Sequence, residues 1–426
     1  MGELMQTKIQ LAIVGGGASG LMAAITAAEM YQGNKRITIL ESAPRVGKKL
    51  LATGNGRCNL TNMNANISHY YGDTKFIQTI LNTYSPKRVI ETFQALGLLC
   101  KEETEGRVYP YSLQAAAVLD LLRLKAEALH IETICDCCVT GLKASNQKFV
   151  LTTSSQETIV AEQVIIATGG KSAPQLGSHG SGYLLAKQMG HAVTSVYPAL
   201  TLLRTPPEYV KSLKGMRSHA VATLLCNRKV IRHEKGEVQF TEHGLSGICM
   251  FQFSRHVAMG IANKNKLSVS LDFMPEYSVA TLVDHLTHIV KIYPQIPAIE
   301  ILSGFINKRV GQAVVKTALA NSNATLSGQL SKSEIMLIAN MIKRFLFPCI
   351  GVADWKQAQA TAGGVSLEQL TESLESRLHC GLYFAGELLN IDGDCGGYNL
   401  HWAWISGMTA GKAAGKNLRN KSKART

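Results

Sequence analysis

The stretch Ile9-Gln10-Leu11-Ala12-Ile13-Val14-Gly15-Gly16-Gly17-Ala18-Ser19-Gly20-Leu21, running on through MAAITAAE to Glu29, decides the fold. A short β-rich apolar run meets glycines, and these open a segment with small residues on one face; the pattern reads as strand, tight turn, helix. A second strand, ITILESA at 37–43, completes a βαβ unit and implies a parallel sheet with helices packed on it. Gly15, Gly17 and Gly20 fit G-x-G-x-x-G. The first glycine makes the turn, the second lets the backbone approach a pyrophosphate, and the third lets helix and strand pack closely, with Ala18 and Ser19 at a helix N-terminus that offers N–H groups to an anion. Glu41 closes the second strand, where an acid accepts hydrogen bonds from an adenosine ribose. The alternative is a glycine turn that serves only packing, and the fingerprint alone does not separate NAD from FAD.

Outward from this unit the texture changes. Short alternating stretches from about 131 to 163 read as a small antiparallel meander that feeds back into the main sheet at Val164–Ala167. Residues 1–195 are therefore expected to form the first part of a discontinuous nucleotide-binding domain. A β-rich basic domain is expected at 196–275 and a helical subdomain at 276–350, both inserted. The outer domain should resume at 351–426, with a final helix from about Leu400 to Leu418 and a basic tail, KNLRNKSKART, that frays.

The chain has 426 residues, 46% of them hydrophobic and 17% charged, which excludes a disordered or fibrous protein. No apolar run approaches the ~18 residues of a membrane span, and MGELMQTKIQ lacks the apolar region of a secretory signal, so a cytoplasmic protein with no membrane partner is expected. Ten cysteines at irregular spacings then read as thiols; Cys135, Cys137 and Cys138 lack a second Cys/His pair at zinc spacing and are expected in a strand, with no metal. Lys+Arg 44 against Asp+Glu 30 gives +14, and the insert 196–275 alone carries eleven basic residues against five acids.

Two distant segments, Val164–Gly170 and Gly381–Glu387, each read as a buried strand ending in small residues. With the βαβ unit and the meander, this order resembles the glutathione-reductase-like FAD fold. Two longer strings sharpen the likeness: Thr53-Gly54-Asn55-Gly56-Arg57-Cys58-Asn59-Leu60-Thr61-Asn62 and Ile391-Asp392-Gly393-Asp394-Cys395-Gly396-Gly397-Tyr398-Asn399-Leu400. Together with GRVYPYS at 106–112 and FTEHGLSG at 240–247, the chain resembles the BaiN/RdsA (YhiN-like) family of bacterial FAD-dependent oxidoreductases over nearly its whole length, with Ile248 standing where that family has proline. The resemblance implies an α/β, Rossmann-type FAD domain, non-covalent FAD, and Glu387 on the flavin ribitol. Gly169 and Asn399 fall in the flavin segments.

The residues themselves suggest further roles. Arg57 can pair with a pyrophosphate or a flavin carbonyl, or serve a loop salt bridge. Cys58 and Cys395, in glycine-rich turns, are either packing residues or proton donors beside the flavin; a neighbouring cation such as Arg57 would bring the Cys58 thiol toward neutrality. His179 and His243 in glycine-flanked loops are acid/base candidates or surface residues. Tyr109 and Tyr111 are expected to pack or to line the flavin, and Trp402 and Trp404 to lie in the core.

Only one dinucleotide fingerprint is present, so NAD(P)H is expected to act as a transient reductant. The resemblance implies reduction of conjugated C=C bonds in bile-acid enones, reduction of uridine to dihydrouridine in large-subunit ribosomal RNA, or oxidation of a small amino-ketone. The basic balance favours RNA, with Arg228, Lys229 and Arg232 as phosphate contacts. A small-molecule enone or amine substrate is the alternative, and a non-catalytic flavin-binding redox protein is the third reading.

Overall fold

A computed structural model describes residues 7–31, 33 and 36–423. The chain divides into two compact units, Met1–Tyr197 with Gln359–Thr426, and Pro198–Ala358.

In the first unit the decisive stretch forms the strand Thr7–Val14 and the helix Ala18–Tyr31, followed by the strand Ile37–Leu40. A seven-stranded sheet runs in the order Glu132–Ile134, Ile37–Leu40, Thr7–Val14, Thr158–Ile166, Lys148–Thr153, Val139–Ser145, and Leu382–Phe384 also pairs with Thr158–Ile166. Register aligns the parallel strands at one end: Val14 stands level with both Leu40 and Ile166, and Ile166 with Phe384. The residues that follow those four ends, Gly15, Glu41, Ala167 and Ala385, therefore emerge along one edge. That edge is where α/β sheets bind ligands.

Thr158–Ile166 does double duty, antiparallel to Lys148–Thr153 in its first half and parallel to Leu382–Phe384 in its second. The meander starts later than the sequence suggested. Glu132–Ile134 belongs to the main sheet as a parallel edge strand, and Cys135–Cys138 lies outside any strand, because the backbone there is tied to the end of the neighbouring strand by Cys137 N–H donating to Glu41 O.

The helix Tyr398–Lys423 packs along Ala18–Tyr31, continuing well beyond Leu418 through most of the tail expected to fray. Gly407, Gly411 and Gly415 explain the approach: a Cβ there would stand 2.5, 2.3 and 2.6 Å from the carbonyl oxygens of Ser19, Ala23 and Ala27. Helices bearing alanine at these positions would be pushed apart. Trp402 and Trp404 are buried as expected, donating their indole N–H groups to Gly386 O and Leu60 O at 3.1 and 2.9 Å.

The second unit holds an antiparallel seven-stranded sheet centred on the hairpin Arg217–Cys226 and Lys229–Phe240. Its core includes Phe240 and Val269 from strands and Leu286, Val314 and Ile338 from the helices Val279–Ile292, Lys308–Ala318 and Lys332–Lys343. The strand Phe345–Cys349 after those helices pairs with Leu267–Asp272 before them. No boundary falls at 275/276, since neither the sheet nor the helices could bury its apolar face without the other.

Candidate active site

A cleft with about 1130 Å³ of open space lies along the aligned strand ends of the first unit. Gly15, Gly17, Ala18, Ser19, Glu41, Gly169, Glu387 and Asn399 all line it, although they are scattered over almost four hundred residues of sequence.

The glycine loop has the geometry the chemistry needs. Gly15 sits at φ +106°, and a Cβ there would come within 2.6 Å of Ala167 O; a Cβ on Gly20 would overlap Gly15 O at 1.9 Å. Gly17 differs, because its Cβ direction meets no atom within 4 Å and opens into the cleft. The backbone at the start of Ala18–Tyr31 is thus bare toward the cavity, as a pyrophosphate requires. Glu41 is fixed at one end by accepting from Gly16 N–H at 2.7 Å and Ala43 N–H at 2.8 Å.

At another part of the cleft Glu387 is the centre of a polar knot. Its Oε2 accepts from Lys49 Nζ at 2.7 Å, and its Oε1 accepts from Ser172 Oγ at 2.7 Å and Thr361 N–H at 2.8 Å. Burial pushes this carboxyl up, but the Lys49 charge and the three hydrogen bonds outweigh it and hold it below the usual carboxylate range. Lys49 also donates to Ser172 Oγ at 2.6 Å and lines the cleft. Sequence reasoning missed Lys49, Ser172 and Thr361; the only signal is that Lys49 stands four residues before the Thr53–Asn62 string and Ser172 two residues after Gly169–Gly170. Asn399, at the start of the last helix, holds the preceding turn by donating Nδ2–H to Gly393 O at 2.8 Å and accepting from Gly393 N–H at 2.9 Å.

The other expected residues lie elsewhere. Arg57 is outside the lining; its guanidinium makes two 2.7 Å contacts with the Glu103 carboxylate and stacks 4.2 Å from the centre of the Tyr109 ring. That is the loop salt bridge, not a pyrophosphate contact. Cys58 is fully buried at φ +56°, and burial pushes its thiol up to about 12, opposite to the expected drop toward neutrality. Burial likewise pushes Cys395 up to about 11, against the pull of Arg107. His179 is exposed with its ring bonded to Gly177 O at 3.0 Å, while its neighbours Gly177 and Ser178 reach the cleft. His243 is exposed in the second unit, Tyr109 is buried and Tyr111 is exposed. Cys137 and Cys138 line the cleft, and among the described residues no group of three or more His, Cys, Asp or Glu side chains is placed to hold a metal.

The basic residues of the insert are also sorted by the fold. Arg232 is paired with Glu234 at 2.6 Å, and Arg217 with Glu237 at 3.3 Å. Arg228 and Lys229 are exposed at a hairpin turn whose left-handed residues are Asn227 and Arg228. That turn is bonded to a second one: Asn227 N–H donates to Lys266 O at 2.8 Å and Asn227 Oδ1 accepts from Lys266 N–H at 3.0 Å. Exposed Lys264 and Lys266 thus join Arg228 and Lys229 in one tip, and neither turn contains an acid. Among the described residues, no helix is long and apolar enough to cross a membrane.

The glycine cradle, the acid beyond it and the aligned strand ends agree with what comparison finds, namely that residues 9–413 match the model of the HI0933-like protein Rossmann domain. The chain belongs to the HI0933-like family. It is 38% identical to the 3-dehydro-bile acid delta(4,6)-reductase of Clostridium scindens, over 95% of this chain and 98% of that protein. It is 25% identical to the ribosomal RNA dihydrouridine synthase of Haemophilus influenzae, over 92% and 95%. In fold it is similar to 3-ketosteroid delta1-dehydrogenase from Sterolibacterium denitrificans, with a TM-score of 0.52, 10% identity and coverage of 97% of this chain and 100% of that one. The family likeness expected from the two glycine-rich strings is borne out, as is the glutathione-reductase-like fold. As a member of this family the chain is an FAD-dependent oxidoreductase.

Proposed function

We propose that this protein reduces a carbon–carbon double bond conjugated to a carbonyl, with uridine of large-subunit ribosomal RNA as the substrate and NAD(P)H as a transient electron donor. The observation that carries the reaction type is the chemistry shared by the relatives' names. A 3-oxo steroid with 4,6 unsaturation and a uracil ring both present C=C conjugated to C=O, and a C=C directly beside the carbonyl is open to reduction by a hydride at the β carbon and a proton at the α carbon. The residues of the cleft fit FAD: Gly15, Gly17 and the N–H groups at Ala18 and Ser19 would hold the pyrophosphate, Glu41 the adenosine ribose, and Glu387 the ribitol. Bound and reduced, FAD supplies the hydride. Lys49, Ser172 and Thr361 keep Glu387 ionised and pointed, so that it accepts from hydroxyls without first paying to reorganise.

RNA is supported by the net charge of +14 and by the acid-free tip of Arg228, Lys229, Lys264 and Lys266. Such a tip suits the phosphates of an RNA strand. Replacing Arg228, Lys229, Lys264 and Lys266 by Gln should weaken RNA binding and flatten its salt dependence by roughly 0.7 in log–log slope per lost single-strand contact. Mass spectrometry of ribosomal RNA from a strain lacking the gene should find one dihydrouridine missing. An unchanged modification profile, with NADH- or NADPH-dependent reduction of a 3-oxo-4-ene steroid by the pure protein, would establish the second reading, a small-molecule enone reductase, which the 38% identity to the bile-acid enzyme favours.

A further inference from the structure

Conjugate reduction needs an acid at the α carbon; burial raises the thiols of Cys58 and Cys395, and the ring of His179 is held on the exposed loop by Gly177 O. A different cluster lies on the turn that the cleft residue Asn399 holds. Its Nδ2–H reaches Asp394 O at 3.3 Å as well as Gly393 O. The Asp394 side chain is only 6% exposed, and its Oδ2 lies 3.1 Å from His69 Nδ1, while its Oδ1 accepts from Tyr71 O–H at 2.9 Å. The His69 ring stacks on Tyr398, with centroids 4.4 Å apart and planes at 16°, and Asp394 N–H donates to His69 O at 2.9 Å. A buried carboxylate thus fixes the tautomer and the tilt of an imidazole whose side chain stays 30% exposed, leaving Nε2 as the free end. This is the layout of an oriented acid, and it adjoins the first turn of the helix that lines the cleft.

We infer that His69, oriented by Asp394, delivers the proton that completes the reduction. The inference rests on the conjugate-reduction reading above. Hydride adds at the β carbon, the C=C electron pair moves toward the carbonyl, and the enolate's α carbon takes the Nε2 proton of the His69 imidazolium. One N–H bond breaks and one C–H bond forms, and the neutral imidazole regains its proton from solvent. Asp394 is a positioning residue, since it acts through His69.

The test is single-turnover re-oxidation of the dithionite-reduced holoprotein, mixed with ribosomal RNA from the deletion strain and, separately, with 4-androstene-3,17-dione. His69→Gln should keep its FAD content and its reduction by dithionite, but its re-oxidation by the substrate that the wild type accepts should slow by about 10²–10⁴-fold. The pH profile separates orientation from mere packing. Around His69 stand Asp394, Tyr71 through that carboxylate, and Tyr398 with Arg107 and Glu105 nearby. Because Gln cannot release a proton, His69→Gln should abolish the limb on which re-oxidation falls with rising pH, whereas Asp394→Asn, which leaves His69 in place but unaligned, should keep that limb and lower the plateau rate. A His69→Gln variant that re-oxidises within threefold of wild type, or keeps that limb, overturns the assignment while leaving the reaction intact. Wild-type protein re-oxidised by neither probe overturns the reaction reading and the assignment with it.

Discussion

Two glycine-rich loops of the first unit, Gly15–Gly20 and Gly54–Asn59, look alike in sequence and do opposite things. In the first, Gly15 and Gly20 are dictated by backbone approach, and Gly17 opens a bare path from a helix start into the cleft. In the second, Gly54, Asn55, Gly56 and Cys58 all take positive φ, and the chain curls so that Cys58 turns into the core and Arg57 is spent on Glu103 and Tyr109. Glycine content reports backbone freedom. Which side the freed backbone presents is set by the strand and helix that flank it.

Breaking the first loop should have the largest effect. Gly17→Val puts a branched side chain into the open side of the cradle while disturbing no neighbour, so the variant should fold and emerge colourless, with FAD affinity down by at least about 100-fold (about 2.7 kcal/mol). Visible absorbance and circular dichroism of the purified protein check both halves.

Glu387→Ala comes next. Removing a charged acceptor for one or two ribitol hydroxyls, each worth about 1.5–3 kcal/mol, should weaken FAD at least ~10-fold by titration calorimetry. Lys49→Met should do nearly the same, because an unpaired Glu387 is costly to keep ionised. The knot also sets a pH dependence. A carboxyl held below its ordinary 4.5 contributes stability that is fully present above that value and is lost as pH falls through its lower, folded value. Thermal melts of wild type should therefore fall more steeply below 4.5 than those of Glu387→Gln, and parallel curves would mean that the knot is not closed in solution.

The second loop should respond only in stability. Cys58→Ala trims a buried side chain and should cost about 1–2 kcal/mol in denaturant unfolding, with FAD content unchanged. Loss of flavin from this variant would erase the contrast between the two loops.

The contrast also marks how much the sequence discloses. Strand, turn and helix at 9–29 are legible because apolar run, glycine spacing and small-residue face all point the same way, and Glu41 follows from its place at a strand end, whereas Glu387 was reached only through the family resemblance. For Cys58 the sequence leaves packing against proton donation open, and for Arg57 a loop salt bridge against a flavin contact, because burial is set by the whole core and the partners of Arg57, Glu103 and Tyr109, are about fifty residues away. Lys49 was invisible for the same reason, since its partner Glu387 is 338 residues on. His69 stood in no motif at all; only pairing of Tyr70–Gly72 with Ile391–Gly393 brings it to Asp394. In the insert, Arg232 was counted as free although a residue two positions along its own strand neutralises it, whereas Lys264 and Lys266 join Arg228 through turns that only the folded sheet brings together.

The most direct test of the central claim couples the cofactor to the bond it reduces. Anaerobically reduced holoprotein should be mixed with ribosomal RNA from a strain lacking the gene, following flavin absorbance and dihydrouridine by mass spectrometry in the same samples. The account predicts that flavin re-oxidises as dihydrouridine appears, one for one, and that Gly17→Val yields neither signal. Flavin that stays reduced in the presence of this RNA and of an enone steroid alike, or that re-oxidises with no new reduced bond, would contradict it.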